Sequence, residues 1–177
     1  MTSARLTIDL GALAHNYHAL WAKAGQAVAA PVVKADGYGL GAGPVCRRLW
    51  DEGARSFFVA RRSEGEALRA EMGERAAEIF VLDGLTAGAA PRLAAAGLTP
   101  ILNSLEQIEA WRATAGAGPL PFGLHFDTGM NRLGLDVDQA EAAARLSRGP
   151  DLTLVMSHLS YATSPGHPRN AEQLQRF

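Results

Sequence analysis

Short apolar runs alternate with amphipathic stretches along the chain, and that alternation restricts the fold more than any other feature. The runs occupy residues 31–34, 56–60, 78–83, 98–103, 121–127 and 152–159. They begin about 20 to 31 residues apart, the spacing of a strand-helix unit repeated in parallel. Helix-start signals fall between them. Asp9 precedes a face made of Leu10, Leu13, Tyr17 and Leu20, and Pro44 suits a first helical turn. Ser63 with Glu66, and Ser104 with Gln107, fit capping boxes, and Asp138 with Glu141 reads as a further cap. Regular strand-helix alternation predicts an α/β protein, either a closed barrel or a doubly wound sheet. Lys34, Asp83, Asn103, Asp127 and His158 fall at the C-terminal ends of the predicted strands. Both architectures build their sites at that end.

Six strands are predicted, and a barrel needs eight. Residues 170–177 read as a helix with Asn170 as cap and Leu174 and Phe177 on its apolar side. A barrel two units short exposes strand edges. The chain is therefore expected to be the N-terminal part of a longer protein. The rival expectation is a small intact domain whose edge a partner covers.

Composition excludes several classes. A net charge of -1 over 177 residues argues against nucleic acid as the main partner, because phosphate binding needs a basic surface. One cysteine, Cys46, makes an internal disulfide impossible and reads as a small apolar helix residue. No basic segment followed by an apolar run opens the chain, and no apolar span is long enough for a membrane. A cytoplasmic location is the resulting expectation. His15, His18 and His167 show no metal-ligand spacing, and no metal is expected.

Three segments carry chemistry. In Val32-Val33-Lys34-Ala35-Asp36-Gly37-Tyr38-Gly39-Leu40-Gly41 a short apolar strand delivers one lysine into a glycine-punctuated turn. Apolar flanks disfavour an ammonium and favour a nucleophilic amine, able to form a Schiff base with an aldehyde cofactor. The glycines lack dinucleotide-binding spacing. In Leu124-His125-Phe126-Asp127-Thr128-Gly129-Met130-Asn131-Arg132-Leu133-Gly134, Arg132 is a planar, permanently charged donor suited to a carboxylate or a phenolate oxygen. In Val155-Met156-Ser157-His158-Leu159-Ser160, His158 ends the sixth strand, where a histidine on its own is more often a structural hydrogen-bonder than a catalyst.

Together these segments resemble the alanine racemase family over nearly the whole chain. The resemblance implies an incomplete TIM (β/α)8 barrel of about six units. Residues 1–177 would be the N-terminal part of a pyridoxal-phosphate-binding barrel domain, with the rest of the barrel and a C-terminal β domain outside this chain. It implies pyridoxal 5'-phosphate as cofactor, with Lys34 as Schiff-base lysine and acid/base on one face of the substrate. Tyr38 would give its hydroxyl to the cofactor phosphate. Arg132 would meet the cofactor's phenolic oxygen and the substrate carboxylate, near Met130 and Asn131. His158 would lie beside the pyridine ring. The family's second base, a tyrosine of the partner subunit's C-terminal domain, lies outside these residues, so the chain alone is expected to be nearly inactive. The implied parent is a homodimer that interconverts L- and D-alanine for peptidoglycan synthesis. Two departures stand out. Many members carry, two residues before the aspartate, a lysine whose carbamylated form orients the arginine; this chain has His125, which cannot form that group. Past His158, Tyr161-Ala162-Thr163 replaces a usual acidic residue. Two alternatives stay open: a pyridoxal-phosphate homeostasis protein, and a racemase of another amino acid.

Overall fold

The computed structural model describes residues 4–114 and 120–177, which divide into two compact units, Met1–Phe80 and Val81–Phe177. Each follows the expected strand-helix order.

The first unit opens with α1 (Leu10–Ala24), whose N-cap Asp9 accepts hydrogen bonds from the amides of Gly11 and Ala12. The predicted face holds only in part. Tyr17 is buried, whereas Leu20 is exposed beside a cavity. The first predicted strand shrinks to one parallel bridge, Val32 to Phe58. The Val33 amide donates to the Phe58 carbonyl, and the Phe58 amide donates to that of Pro31. A short turn, α2 (Lys34–Tyr38), leads into α3 (Ala42–Asp51) with Pro44 in its first turn. Then come β1 (Ser56–Val59), α4 (Arg62–Met72) and β2 (Glu78–Val81), which runs across the unit boundary. Val45, Leu49, Phe57, Leu68, Met72 and Ile79 are buried, together with Cys46, whose thiol burial pushes up to about 12. The thiol is thus the apolar filler expected of it.

The second unit carries α5 (Ala90–Ala95), β3 (Thr99–Leu102), α6 (Leu105–Ala113) and β4 (Phe122–Asp127). After these come β5 (Leu135–Asp136), a short 3-10 turn (Val137–Gln139), α7 (Ala140–Leu146), β6 (Leu152–Met156) and α8 (Pro168–Arg176). β3 and β6 both pair with β4 in parallel, with Leu102 opposite Leu124 and His125 opposite Met156. β5 pairs with the upper end of β4, Leu135 opposite Phe126. No alternating run announces β5, because two residues are too few to make a pattern. Ile101, Leu102, Ile108, Trp111, Phe122 and Leu135 are buried.

Several helix starts differ from expectation. α4 is capped at Arg61, and Glu64 reaches back to the Ala60 and Arg61 amides, so Ser63 lies inside the helix. Asp136 caps the 3-10 turn, with Gln139 completing its box, so Asp138 sits in the first turn. His167 caps α8 through Nδ1, and Asn170 instead donates to the carbonyls of Tyr161 and Ser164. Leu174 and Phe177 are exposed, and the buried side chain of α8 is Gln173. Ser104 caps α6 as expected, with Gln107 accepting from the Asn103 amide.

Among the described residues no helix is long and apolar enough to cross a membrane, and no group of three His, Cys, Asp or Glu side chains could hold a metal.

Candidate active site

The site residues fall into two clusters, one in each unit. In the first unit, the extended residues 31–33 end at Lys34, and the chain then turns with a left-handed backbone. Ala35, Asp36, Gly37 and Tyr38 have φ of 51°, 52°, 63° and 56°. That conformation costs a non-glycine residue roughly 1–2 kcal/mol. Local hydrogen bonds offset the cost. The Ala35 amide donates to Glu64 Oε1 at 3.0 Å, the Gly37 amide to the Val33 carbonyl, and the Gly41 amide to the Asp36 carbonyl. Asp36 Oδ1 accepts from the Ala42 amide at 2.7 Å, holding the start of α3 against the turn. A Cβ at Gly37 would lie 3.3 Å from the Ala42 backbone, a tight contact that glycine avoids. The turn sets the half-buried Lys34 with Nζ 6.0 Å from the centre of the Tyr38 ring, which is 63% exposed.

Two cavities border this turn. One, of about 360 Å³, is apolar and lined by Leu13, Tyr17, Val33, Tyr38, Leu40 and Leu49. The other, of about 550 Å³, includes Asp36, Glu64 and Glu71 in its wall. Neither set of walls suits a phosphate. The exposed side of Tyr38 is the part of the turn open to one.

In the second unit, Asp127 at the end of β4 organises the loop that carries Met130, Asn131 and Arg132. Its Oδ1 accepts from the amides of Gly129 and Met130, each at 2.8 Å. Burial pushes the Asp127 carboxyl up. The amides of Gly129, Asn131 and Met130 and the charge of His125 outweigh it, so the group stays below its ordinary range. Asn131 is left-handed at φ 57°. Gly134 closes the loop at φ 116°, where a Cβ would stand 2.8 Å from the Asp127 amide nitrogen; only glycine fits. Arg132 and His158 are exposed, and Met130 is half-buried.

His125 is buried on β4, and its Nδ1 lies 3.0 Å from Asn103 Oδ1. The Asn103 amide nitrogen donates to two carbonyls, Leu82 at 3.1 Å and Ile101 at 2.9 Å. Both of its hydrogens are engaged, which fixes Oδ1 as the acceptor and His125 Nδ1 as the donor. Burial, then the charge of His158, holds the imidazole below its ordinary value; Asp127 opposes this and Arg132 adds to it. The neutral ring therefore carries its proton on Nδ1 and leaves Nε2 as an acceptor.

A second polar group joins the Arg132 loop to the end of β6. Thr128 Oγ1 lies 2.7 Å from Ser157 Oγ, and Gln173 Nε2 donates to Thr128 Oγ1 and to the His158 carbonyl. Three positions that organise these clusters, Glu64, Asn103 and Gln173, are not site residues in the sequence reading. Asn103 left a trace there, as a polar residue at a strand end.

A model of the family described as "Alanine racemase, N-terminal domain" matches residues 8–177. The alanine racemase of Dinoroseobacter shibae is 47% identical over 178 residues, covering all of this chain and 50% of that protein. The catabolic alanine racemase of Mesorhizobium japonicum is 47% identical, covering 97% of this chain and 46% of its own length. The crystal structure of alanine racemase from Bartonella henselae with covalently bound pyridoxal phosphate superposes with a TM-score of 0.88. Identity there is 32%, over 95% of this chain and 50% of that one. The chain thus spans about half the length of the relatives it matches.

Proposed function

The chain belongs to the alanine racemase family, with the α/β fold of that family's incomplete TIM barrel, and we propose that it carries the cofactor-holding half of an enzyme that interconverts L- and D-alanine. The observation that carries this reading is the Lys34 turn. A strained left-handed backbone, stabilised by Glu64 and Asp36, presents one lysine beside one exposed tyrosine. Strain of this kind concentrates at functional sites.

These residues fit pyridoxal 5'-phosphate. Lys34 offers the only amine of the turn, and Tyr38 offers a hydroxyl open to a phosphate. Arg132 and His158 offer exposed cationic and hydrogen-bonding groups. When bound, the cofactor supplies an electron sink for the α-carbanion of an amino acid. Lys34 Nζ holds the cofactor covalently and moves the α-proton on one face of the substrate. Tyr38 binds the phosphate. Arg132 receives the substrate carboxylate and the cofactor's phenolic oxygen, a task for a planar donor held by a closed loop. Met130 forms the neighbouring wall, and His158 flanks the pyridine ring.

Racemisation needs a second acid/base group on the opposite face, and none of these residues supplies it. The 177 residues alone are therefore expected to racemise alanine little or not at all. The active form is proposed to be a cytoplasmic homodimer acting on a small amino acid, with neither nucleic acid nor membrane as partner. Supply of D-alanine for peptidoglycan is the first physiological reading. The equal likeness to a relative named catabolic favours D-alanine breakdown as a second.

The test is an absorbance titration of the chain with pyridoxal phosphate, followed by borohydride reduction. A long-wavelength band, fixed by reduction and absent from Lys34→Ala, is the expected result. A chain that gives the same spectrum with and without Lys34 overturns the assignment.

A further inference from the structure

We propose that Gln173 is a positioning residue, a buried strut that locks the loop bearing Arg132 to the loop bearing His158. The inference rests on the proposed function in one respect: those two loops are taken to flank the same cofactor and substrate.

The geometry is specific. Gln173 is 3% exposed. Its Nε2 donates to Thr128 Oγ1 at 3.1 Å and to the His158 carbonyl at 2.9 Å, and its Oε1 accepts from the Ser160 amide at 2.9 Å. Both amide hydrogens are used, and a flipped amide would set oxygen against the His158 carbonyl and nitrogen against the Ser160 N–H. One side chain therefore reads three atoms on two loops in a single orientation. The joint is reinforced on either side. Thr128, 1% exposed, bonds to Ser157, its carbonyl accepts from Arg176 at 3.3 Å, and Ser160 Oγ donates to the Gly129 carbonyl at 3.4 Å.

The composition of α8 sharpens the point. Its large apolar residue Leu174 is 72% exposed and Phe177, which caps its C-terminus, is 57% exposed, while its buried position holds an amide. An apolar anchor would satisfy packing alone. A matched set of two donors and one acceptor instead fixes the mutual position of two loops. Misplacement of a binding group by about 1 Å can cost about a hundredfold in rate, so a shared strut has functional leverage.

The experiment compares the 177-residue chain with Gln173→Glu and Gln173→Leu by residue-resolved amide exchange and by retention of added pyridoxal phosphate. Glutamate keeps the acceptor for Ser160 and removes both donors. The Gly129 and Met130 amides are expected to exchange about tenfold faster while Ser160 stays protected. Leucine is expected to release Ser160 as well. In both variants the Lys34-dependent absorbance band is expected to be lost on dilution about tenfold faster than in the parent chain. A drop in melting temperature with loop exchange and cofactor retention unchanged would mean a purely structural role and overturn the proposal. If the parent chain forms no band at all, the proposed function fails instead, and the exchange pattern still decides whether Gln173 couples the loops.

Discussion

His125 shows how the surroundings of a single buried residue fix its chemical state. Its position on β4 is buried, and the engaged amide of Asn103 leaves only one neutral tautomer. In the folded chain the imidazole titrates below its ordinary value of 6.5 because burial and the charges of His158 and Arg132 oppose protonation. The unfolded chain binds that proton more readily, so stability is complete above the ordinary value and declines as the pH falls below it. Asp127, also lowered, contributes a similar loss at more acidic pH. The melting temperature is expected to fall between about pH 7.5 and about pH 5.5, and His125→Asn should flatten that slope. Long-range nitrogen spectra should show Nδ1 protonated and Nε2 bare. A proton on Nε2, or a slope that survives the substitution, would refute the assignment. The sequence does not reveal the bond to Asn103, because Asn103 lies just past the end of β3 and no local pattern joins it to His125. The turn from Lys34 to Tyr38 stands out in the sequence for the opposite reason: most of the residues that shape it are its own neighbours in the chain.

Local neighbours also decide how well each element could be read. The Lys34 turn depends on one side chain from outside, Glu64, whose carboxylate accepts from the amides of Ala35, Ala60 and Arg61. Glu64→Ala removes a charged acceptor from all three and is expected to cost about 2 kcal/mol, read from the urea midpoint. Glu64→Gln should recover part of that loss; a midpoint unmoved in Glu64→Ala would show that the turn holds itself. The loop after β4 has a stricter constraint. Gly134→Ala would place a Cβ 2.8 Å from the Asp127 amide nitrogen at φ 116°, and is expected to destabilise the chain by about 3 kcal/mol. Calorimetry of that variant checks the figure. β1 to β4 and β6 were readable from apolar runs, because each is a contiguous stretch, whereas the run at 31–34 forms only a bridge and β5 is too short to make a pattern. Helix starts were placed less well. α4, the 3-10 turn and α8 begin at Arg62, Val137 and Pro168, each ahead of the Ser, Asp or Asn singled out in the sequence. Several capping residues lie within reach of each start, and tertiary contacts choose among them. Asn170 is a case in point, spent on the carbonyls of the preceding loop rather than on the helix it was expected to cap.

For the whole molecule, the decisive quantity is the apolar surface each unit leaves in water. In the first unit Leu20, Val28, Val32 and Leu40 are exposed; in the second, Val155, Leu159, Leu174 and Phe177 are. Single exposed apolar residues are ordinary, but Leu20, Val32 and Leu40 border one cavity of the first unit. β6 pairs with β4 on one side, and among its residues Thr153 and Val155 are exposed. A parallel strand of a barrel is normally covered on both faces, so the exposed Val155 marks a face of β6 that a partner would cover. The chain is therefore expected to self-associate reversibly at micromolar concentration and to bind an apolar dye. Sedimentation velocity across a dilution series reads the first property, and dye fluorescence the second. Val155→Lys places a charge on that face of β6 and should shift the distribution toward monomer with little loss of melting temperature, since the side chain already faces water. Leu174→Glu tests the second exposed element in the same way. If the parent chain sediments as a monomer at every concentration and leaves the dye dark, these patches are ordinary surface and the face of β6 needs no partner. If only Leu174→Glu dissociates the assembly, association runs through α8 and not through that face of β6.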